Sequence, residues 1–161
     1  MAKSGYSITT EGAVTLTGGT ARTILGVKSG ATTANHGVDL RKLRVGFNGT
    51  SASAVPVLVE VCAATFATNA PGTQSTSVTV RQAYGRLVGT GFTAAKAWNA
   101  SNEPTVLTVI EEFLLTPNGG LVLYEWALAE GPDSALGEGF ALRCTAPAGV
   151  DVRAGLWFER A

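Results

Sequence analysis

The sequence predicts an all-β domain, an antiparallel β-sandwich of about eight or nine strands with a jelly-roll-like topology. Short apolar runs rich in Val, Ile and Thr alternate with polar residues along the chain, which is the two-residue period of half-buried strands. Turn signals containing Gly, Pro and Asn separate these runs at fairly even spacing. No segment has a confident helical pattern. An immunoglobulin-type sandwich is the alternative, which the absence of the Cys-Trp-Cys spacing of that family disfavours.

Residues 1–19 are rich in Ser, Thr and Gly and predict a flexible N-terminal arm ahead of a sandwich domain over residues 20–161. The short alternation at residues 13–17 would become a strand once the arm lies on another surface, and an ordinary frayed terminus is the alternative. Strand addition to an open sheet edge is one way in which such an arm binds a neighbour. The candidate partner contacts in the arm are its apolar side chains, Tyr6, Ile8, Val14 and Leu16.

Four strand patterns follow the arm, and the second has a clear alternation with Leu43, Val45 and Phe47 on one face. Pro56 lies near the start of the third pattern and indicates the beginning of a strand or an edge strand. The four patterns cover residues 20–27, 38–48, 55–65 and 77–81. Polar loops or turns are expected at residues 29–37, 48–51, 67–76 and 130–139, and a long irregular excursion at residues 85–103.

A β-hairpin is predicted over residues 105–128, where two apolar runs flank Thr-Pro-Asn-Gly-Gly. Proline cannot donate to a ladder and Asn-Gly-Gly tolerates positive φ, so the chain should reverse there. The first run has continuous apolar residues, which indicate a strand covered on both faces or a bulge beside Glu111 and Glu112. A helix is disfavoured because the run is rich in β-branched residues and lies between two prolines. One face of the second run carries Val122, Tyr124, Trp126 and Leu128.

A second hairpin is predicted at the end of the chain. Residues 140–145 and 150–159 both alternate between apolar and polar side chains, and Ala-Pro-Ala-Gly joins them as a turn. This is the cleanest two-residue period in the sequence.

The composition argues against nucleic-acid and membrane partners. Twelve basic residues balance twelve acidic ones, and only 15% of the 161 residues are charged, so no long-range field attracts the chain to phosphates or anionic lipid. No window approaches the roughly 18 apolar residues of a membrane span, and the N-terminus lacks the apolar core of a signal peptide. A weakly charged surface of this kind favours contact with proteins.

No constellation of catalytic or metal-binding side chains is recognisable, and the sequence predicts a non-enzyme without a metal, a cofactor or a small-molecule substrate. His36, the single histidine, lies in an Ala-Asn-His-Gly loop and is interpreted as a solvated loop residue. Glu111 and Glu112 are adjacent and would point to opposite faces of a strand, so they cannot act as a carboxylate pair. Cys62 and Cys144 fall inside strand patterns and are interpreted as small buried residues of a reducing compartment, with one bridge between them as the alternative.

Two tryptophans are candidate partner contacts. Trp98 is the stronger candidate because it lies in the long irregular segment, and loop anchoring is the alternative. Trp157 falls on the polar face of the last strand pattern and is expected to be partly exposed. Trp126 shares a face with Val122 and Tyr124 and is expected in the core. Basic residues do not interleave with these aromatic residues along the sequence, which argues further against nucleic acid.

Three segments carry a resemblance to a known class of proteins: ASAVPVLVEVCAATFAT at residues 52–68, EPTVLTVIEEFLLTPNGGLVLYEW at 103–126 and GFALRCTAPAGVDVRAGLWFE at 139–159. Residues 20–159, which hold these segments in order, resemble small β-rich virion proteins of tailed bacteriophages, especially phages that infect actinobacteria, and within that class the capsid decoration or cement proteins. The resemblance implies a jelly-roll-like domain, often a homotrimer, that binds the major capsid protein at local symmetry axes of the outer capsid. It implies no catalytic residues.

The resulting hypothesis is a structural virion protein, made in the bacterial cytoplasm, that decorates and stabilises the outer capsid surface by binding across capsid subunits as an oligomer. A different virion component on a β-sandwich, such as a tail, head-tail joining or host-surface-binding protein, is the alternative. An enzyme that uses His36 with Cys62 or Cys144 is a third class, and it is disfavoured because both cysteines lie in strand patterns.

Overall fold

Two antiparallel sheets of six strands each make up the part of the chain that the structure describes. The computed structural model describes residues 4–30, 36–48, 55–85, 90–118 and 120–161. These residues contain no helix, which confirms the all-β prediction, and they form twelve strands where eight or nine were expected. The strands are β1 (Gly5–Thr9), β2 (Val14–Leu16), β3 (Ala21–Ser29), β4 (Val38–Asn48), β5 (Val57–Ala64), β6 (Thr76–Ser77), β7 (Arg81–Tyr84), β8 (Phe92–Lys96), β9 (Leu107–Leu115), β10 (Leu121–Glu125), β11 (Gly139–Thr145) and β12 (Val150–Arg160).

Each sheet combines strands that are distant in the sequence. Sheet 1 has the order β10-β4-β12-β1-β7, and β2 pairs with β12 as well. Sheet 2 has the order β6-β8-β3-β11-β5-β9. Because β1 and β2 pair with successive parts of β12, they act as one interrupted strand. The chain changes sheet between most consecutive strands, so each sheet is completed only when the last strand is in place.

The strands predicted between residues 20 and 65 are confirmed. β4 has the predicted limits, and its Leu43 and Val45 side chains are buried while Arg44 is exposed. β5 begins at Val57, directly after Pro56, and it is an interior strand between β11 and β9. Proline is tolerated there because the ladder starts one residue later. The predicted turn beyond Asn48 and residues 31–35 of the predicted polar loop lie outside the described residues.

The segment between residues 76 and 103 differs from the prediction. The single strand expected at residues 77–81 is divided, since β6 belongs to sheet 2 and β7 to sheet 1. The excursion expected to be irregular contains β8, which pairs with β3 and β6. Its sequence, Phe-Thr-Ala-Ala-Lys, has a weak strand signal because alanine has low β propensity, and only neighbouring strands make it extended.

Both predicted hairpins are wrong in their pairing, although all four strands exist. β9 pairs with β5 in sheet 2 and β10 pairs with β4 in sheet 1. Likewise β11 lies in sheet 2 and β12 in sheet 1. Alternating side chains show which face of a strand points inward, but they do not show which strand lies beside it. Both turns therefore reverse the chain and carry it across the roughly 10 Å between packed sheets.

The bulge predicted beside Glu111 and Glu112 is confirmed. Val61 is opposite Glu111 and Cys62 is opposite Val109, so Ile110 is the extra residue of β9. The other interpretation, a strand covered on both faces, is wrong because Val109, Ile110 and Leu114 are exposed. β9 is an edge strand of sheet 2, and bulges are common at such edges.

The flexible arm predicted for residues 1–19 is corrected for the part that the structure describes. β1 lies between β12 and β7 inside sheet 1, and Tyr6 and Ile8 are buried in the core. Val14 and Leu16 of β2 are buried as well. These four residues are therefore core residues of their own domain and not partner contacts. The Ser- and Thr-rich composition reflects only the outward positions of two short strands, and the alternation expected to order on a neighbour orders on β12.

The two sheets share one hydrophobic core, built from strands of both. Tyr6, Phe92 and Phe158 form an aromatic group inside it, with ring centroids 5.0–5.9 Å apart. A second, smaller cluster contains Trp98, Phe66 and Ala141. Since Ala141 alternates with Phe140 and Leu142 of the main core, this cluster lies on the outer side of sheet 2, where the segments after β5 and β8 cover the sheet.

The integration of β1 into sheet 1 is tested by two neighbouring substitutions. Ile8→Ala should lower the free energy of unfolding by about 2–4 kcal/mol, because it removes a buried side chain from a closely packed core. Thr9→Ala, at an exposed position of the same strand, should change it by less than about 0.5 kcal/mol. Chemical denaturation followed by fluorescence measures both. Equal, small effects would mean that this segment is a loose arm after all.

Candidate interaction surface

The edges of the two sheets differ strongly. At one edge of each sheet lie β6, with two residues, and β7, with four, and both are polar and largely exposed. At the opposite edges lie β9, with nine residues, and β10, with five. Short polar edge strands do not invite pairing with another chain, whereas long apolar ones do. The side of the domain formed by β9 and β10 is therefore the candidate interaction surface.

Five apolar side chains are exposed on these two edge strands, and we call them the apolar edge surface. Leu114 is 67% exposed, Leu121 60% and Leu123 57%. The surface consists of Val109, Ile110, Leu114, Leu121 and Leu123. Leu121 and Leu123 project from the outer face of sheet 1 and Leu114 from the outer face of sheet 2, at the same end of the sandwich. Scattered single leucines on a surface are ordinary, but exposed apolar side chains on both of these edge strands indicate a place that another molecule covers.

Half-buried residues hold the two edge strands together beneath this surface. The Tyr124 hydroxyl donates a hydrogen bond to Glu111 Oε2 at 3.4 Å, which joins β10 to β9 across the gap between the sheets. The nearby Glu111 carboxylate raises the pKa of Tyr124. Trp126 packs against the main core and meets the Tyr124 ring edge to face at 4.8 Å. The expected burial of Trp126 is thus reached in part, while Leu128 lies beyond β10 and is exposed.

The backbone of β9 is the second feature of this surface. β5 is its partner on one side, and in the described part of the chain no strand pairs with the other side. An edge of this length offers unpaired N–H and C=O groups to a further strand. Ile110 in the bulge and the exposed Glu112 disturb a straight ladder, which limits pairing to partners that match this shape and charge.

Trp98 does not form a contact surface, contrary to expectation. Its side chain is fully buried, its indole N–H donates to the Asn69 carbonyl oxygen at 2.8 Å, and its ring stacks on Phe66. The alternative, anchoring of the segment, is correct. Among the predicted contacts Trp157 alone is accessible: it is half-buried, as expected, on the outer face of sheet 1.

The apolar edge surface was missed by sequence reasoning, yet its signal was present. The continuous apolar residues of β9 were interpreted as burial on both faces within the domain. The same pattern arises when one face packs on the core and the other is left for a partner. Only the position of β9 at the end of sheet 2 distinguishes the two cases.

The candidate catalytic residues are not arranged for bond chemistry. His36 packs against the Phe92 ring at 4.9 Å and is half-buried, so it is less solvated than predicted. Its burial and the charge of Arg160 lower its pKa. Cys62 and Cys144 are free and fully buried, as expected for small apolar residues. Burial raises the pKa of Cys62 to about 11 and raises that of Cys144 further.

One surface depression in the described residues, of about 230 Å³, is lined by Arg41, Tyr84 and Glu159 among others, and the polar groups of these three side chains already bond to one another. Another depression, of about 550 Å³, is lined mainly by hydroxyl and amide side chains together with Arg22. The Arg22 guanidinium is already used, since it donates to the backbone carbonyl oxygens of Thr15 and Trp98. Within the described ranges no group of three His, Cys, Asp or Glu residues could hold a metal ion. The same ranges contain no helix long and apolar enough to cross a membrane.

Comparison of the chain with protein-family models, curated proteins and solved structures finds no match.

The inertness of the cysteines can be measured. With the pKa of Cys62 raised to about 11 and that of Cys144 higher still, the thiolate fraction near pH 8 should be about one in a thousand or less. The folded protein should therefore fail to reduce Ellman's reagent within an hour, and both thiols should react once urea unfolds the chain. Rapid reaction of one thiol in the folded protein would show an accessible, activated cysteine and would reopen the enzyme hypothesis.

Proposed function

We propose that this chain is a structural virion protein that decorates and stabilises the outer surface of a phage capsid, binding across capsid subunits as an oligomer, with a homotrimer as the favoured form. The apolar edge surface is the single observation that carries the proposal. Five apolar side chains on two edge strands are exposed on a domain whose other sheet edges are short and polar. Exposed apolar side chains at one end of a domain suit a protein that acts by binding to other proteins.

The energetics support a role for the apolar edge surface in assembly. Covering a leucine side chain that is otherwise in water contributes about 1.5–3 kcal/mol. A specific interface needs roughly 1,000 Å² or more of buried surface, so these side chains would contribute apolar area to partners at this end of the sandwich and the open backbone of β9 would extend the contact. Low overall charge, 15% of residues, reduces the electrostatic cost of packing many copies side by side.

The strand order supports assigning the two-sheet fold to the jelly-roll class. If β1 and β2 count as one strand and β6 to β8 as an insertion, eight strands remain. Numbered along the chain, sheet 1 then has the order 6-3-8-1 and sheet 2 the order 2-7-4-5. This is the interleaved order of two Greek keys that characterises an eight-stranded jelly roll. The resemblance to decoration proteins implies the same topology.

The proposed mechanism is stabilisation by mass action. A ligand that binds the assembled shell and not its separated subunits shifts the equilibrium toward the shell. An oligomer that engages several equivalent sites at once gains avidity without any new contact, because each later binding step is intramolecular. The chain would be made in the host cytoplasm and located on the virion surface.

Binding to capsid shells and its dependence on the apolar edge surface form the test. Purified protein should bind expanded shells of the parent phage saturably and raise their melting temperature. Leu114→Lys and Leu123→Lys should each weaken binding or oligomer formation by about tenfold or more, because each places a charge at the centre of an apolar contact. Leu136→Lys is the matched control, since Leu136 is exposed to a similar extent outside β9 and β10.

Two results would contradict this proposal. If the unaltered protein failed to bind shells, the decoration function would be contradicted. If all three variants behaved equally, the role of the apolar edge surface in binding would be contradicted. Copy number in the particle separates the alternative, because hundreds of copies indicate a lattice of decoration whereas about six or twelve indicate a ring or tail component.

A further inference from the structure

The outer face of sheet 1 carries basic side chains that are far apart in the sequence. On β4, Lys42 and Arg44 alternate with core residues, and on β12 Arg153 and Trp157 do the same. The register puts Trp157 opposite Lys42 and Arg153 opposite Gly46. All four side chains therefore point away from the core on two adjacent strands.

Trp157 is held in a defined position on this face. Its ring lies 5.2 Å from Lys42 Nζ and 5.5 Å from Arg44 Cζ, distances at which a cation is attracted to the aromatic face. The ring also covers Gly155, because a Cβ built there would lie 3.0 Å from ring carbons. A larger residue at 155 would lift the ring off the sheet. Trp157 and the two cations thus form one ordered unit, in contrast to the separation of basic and aromatic residues along the sequence.

A depression of about 540 Å³ lies beside this unit. Arg44 and Arg153 line it together with Phe47, Leu121 and the backbone of Gly46. Leu121 also belongs to the apolar edge surface, so the two surfaces are continuous. One carboxylate, Glu11, lines the same depression, and it is engaged with Arg81 at 3.7 Å and with the Thr79 backbone N–H at 3.4 Å.

The cations of this face lack carboxylate partners, and they also lack the backbone carbonyl partners that Arg22 and Lys96 have. Within the described part of the chain, Lys42, Arg44 and Arg153 form neither a hydrogen bond nor an ion pair. Other arginines are paired: Arg143 binds Glu60 through two bonds of 2.8 and 2.9 Å. Unpaired, exposed guanidinium groups beside an aromatic ring are typical of a surface that receives an anionic partner.

We propose that the outer face of sheet 1 is a docking face for a carboxylate-rich protein surface, with Arg44 and Arg153 binding its Asp or Glu side chains and Trp157 supplying apolar contact. The inference deepens the proposed function, on which it rests, by naming the chemistry of the capsid surface that this face would meet. Guanidinium groups bind carboxylates with two parallel hydrogen bonds. The apolar side chains beside them bury area that a purely ionic contact lacks.

A protein partner fits this face better than nucleic acid. Glu125 lies opposite Lys42 in the register, and Glu11 lines the depression, so a continuous row of phosphates would meet negative charge on both sides. The chain as a whole has a formal charge of +0 and lacks the long-range field that attracts a polyanion of high charge density. A polypeptide, flexible poly-L-glutamate included, can place its carboxylates beside the arginines and away from Glu11 and Glu125, whereas the rigid phosphate rows of a duplex cannot.

The test measures binding of poly-L-glutamate of about 50 residues and, in parallel, of a DNA duplex of similar total charge, each at low and at moderate salt. The unaltered protein should bind poly-L-glutamate in a salt-dependent manner and bind it more tightly than the duplex. Arg44→Glu and Arg153→Glu should each weaken binding by about fivefold or more. Lys28→Glu is the control, because it changes the net charge by the same amount but lies on the outer face of sheet 2. It should change binding by less than about twofold.

Each outcome decides the inference. No binding of poly-L-glutamate, equal effects of the three variants, or tighter binding of the duplex would overturn it, and Arg44→Gln and Arg153→Gln repeat the comparison if a charge reversal impairs folding. Shell binding by the Arg44→Glu, Arg153→Glu double variant at full affinity would overturn this inference and leave the decoration function intact. If the unaltered protein did not bind shells but bound poly-L-glutamate through both arginines, the decoration function would be overturned. The docking face for carboxylates would still be supported.

Discussion

The structure depends most on the pairing of β12 with three other strands. β4 pairs along one side of β12, and β1 and β2 pair along the other. Sheet 1 therefore brings the beginning and the end of the described chain together, and the core is closed only when both are in place. Buried charges reinforce this junction, because Arg41 of β4 contacts Glu159 of β12 at 3.0 Å. Arg41 also contacts Asp39 at 3.1 Å, and removing the arginine would leave two buried carboxylates without this counterion, which is destabilising.

The same sandwich-like arrangement determines which surfaces of the domain remain open. Strands in the middle of each sheet satisfy their backbone on both sides, so only the edges and outer faces remain for contact. Sheet 2 is partly covered on its outer face by the cluster around Trp98. The long edges at β9 and β10 and the outer face of sheet 1 are left, and Leu121 connects the two. The exposed apolar side chains of β10 and the basic side chains of sheet 1 are thus neighbours on one part of the domain.

Charged side chains inside the sheets also differ from those on the outer face of sheet 1. Inside the sheets they occur as bonded pairs, such as Arg143 with Glu60, because an unpaired charge in a desolvated position costs several kcal/mol. On the outer face of sheet 1 the cations Arg44 and Arg153 are left without such partners in the described residues. Exposed charges cost little in water and remain available. A chain with a formal charge of +0 can therefore still present a locally basic face.

The sequence by itself determined the extended segments and their inward sides, because a two-residue alternation is a local property. It predicted the limits of β4 and the burial of both cysteines, and a bulge beside Glu111 and Glu112 was one of two alternatives for β9. Only the tertiary structure decided which strands pair, since pairing depends on residues far apart in the chain. For that reason the two hairpins became crossings between sheets, and the N-terminal arm became part of the core. The same non-local pairing placed Trp157 beside Lys42 and Arg44 and left β9 at an open edge.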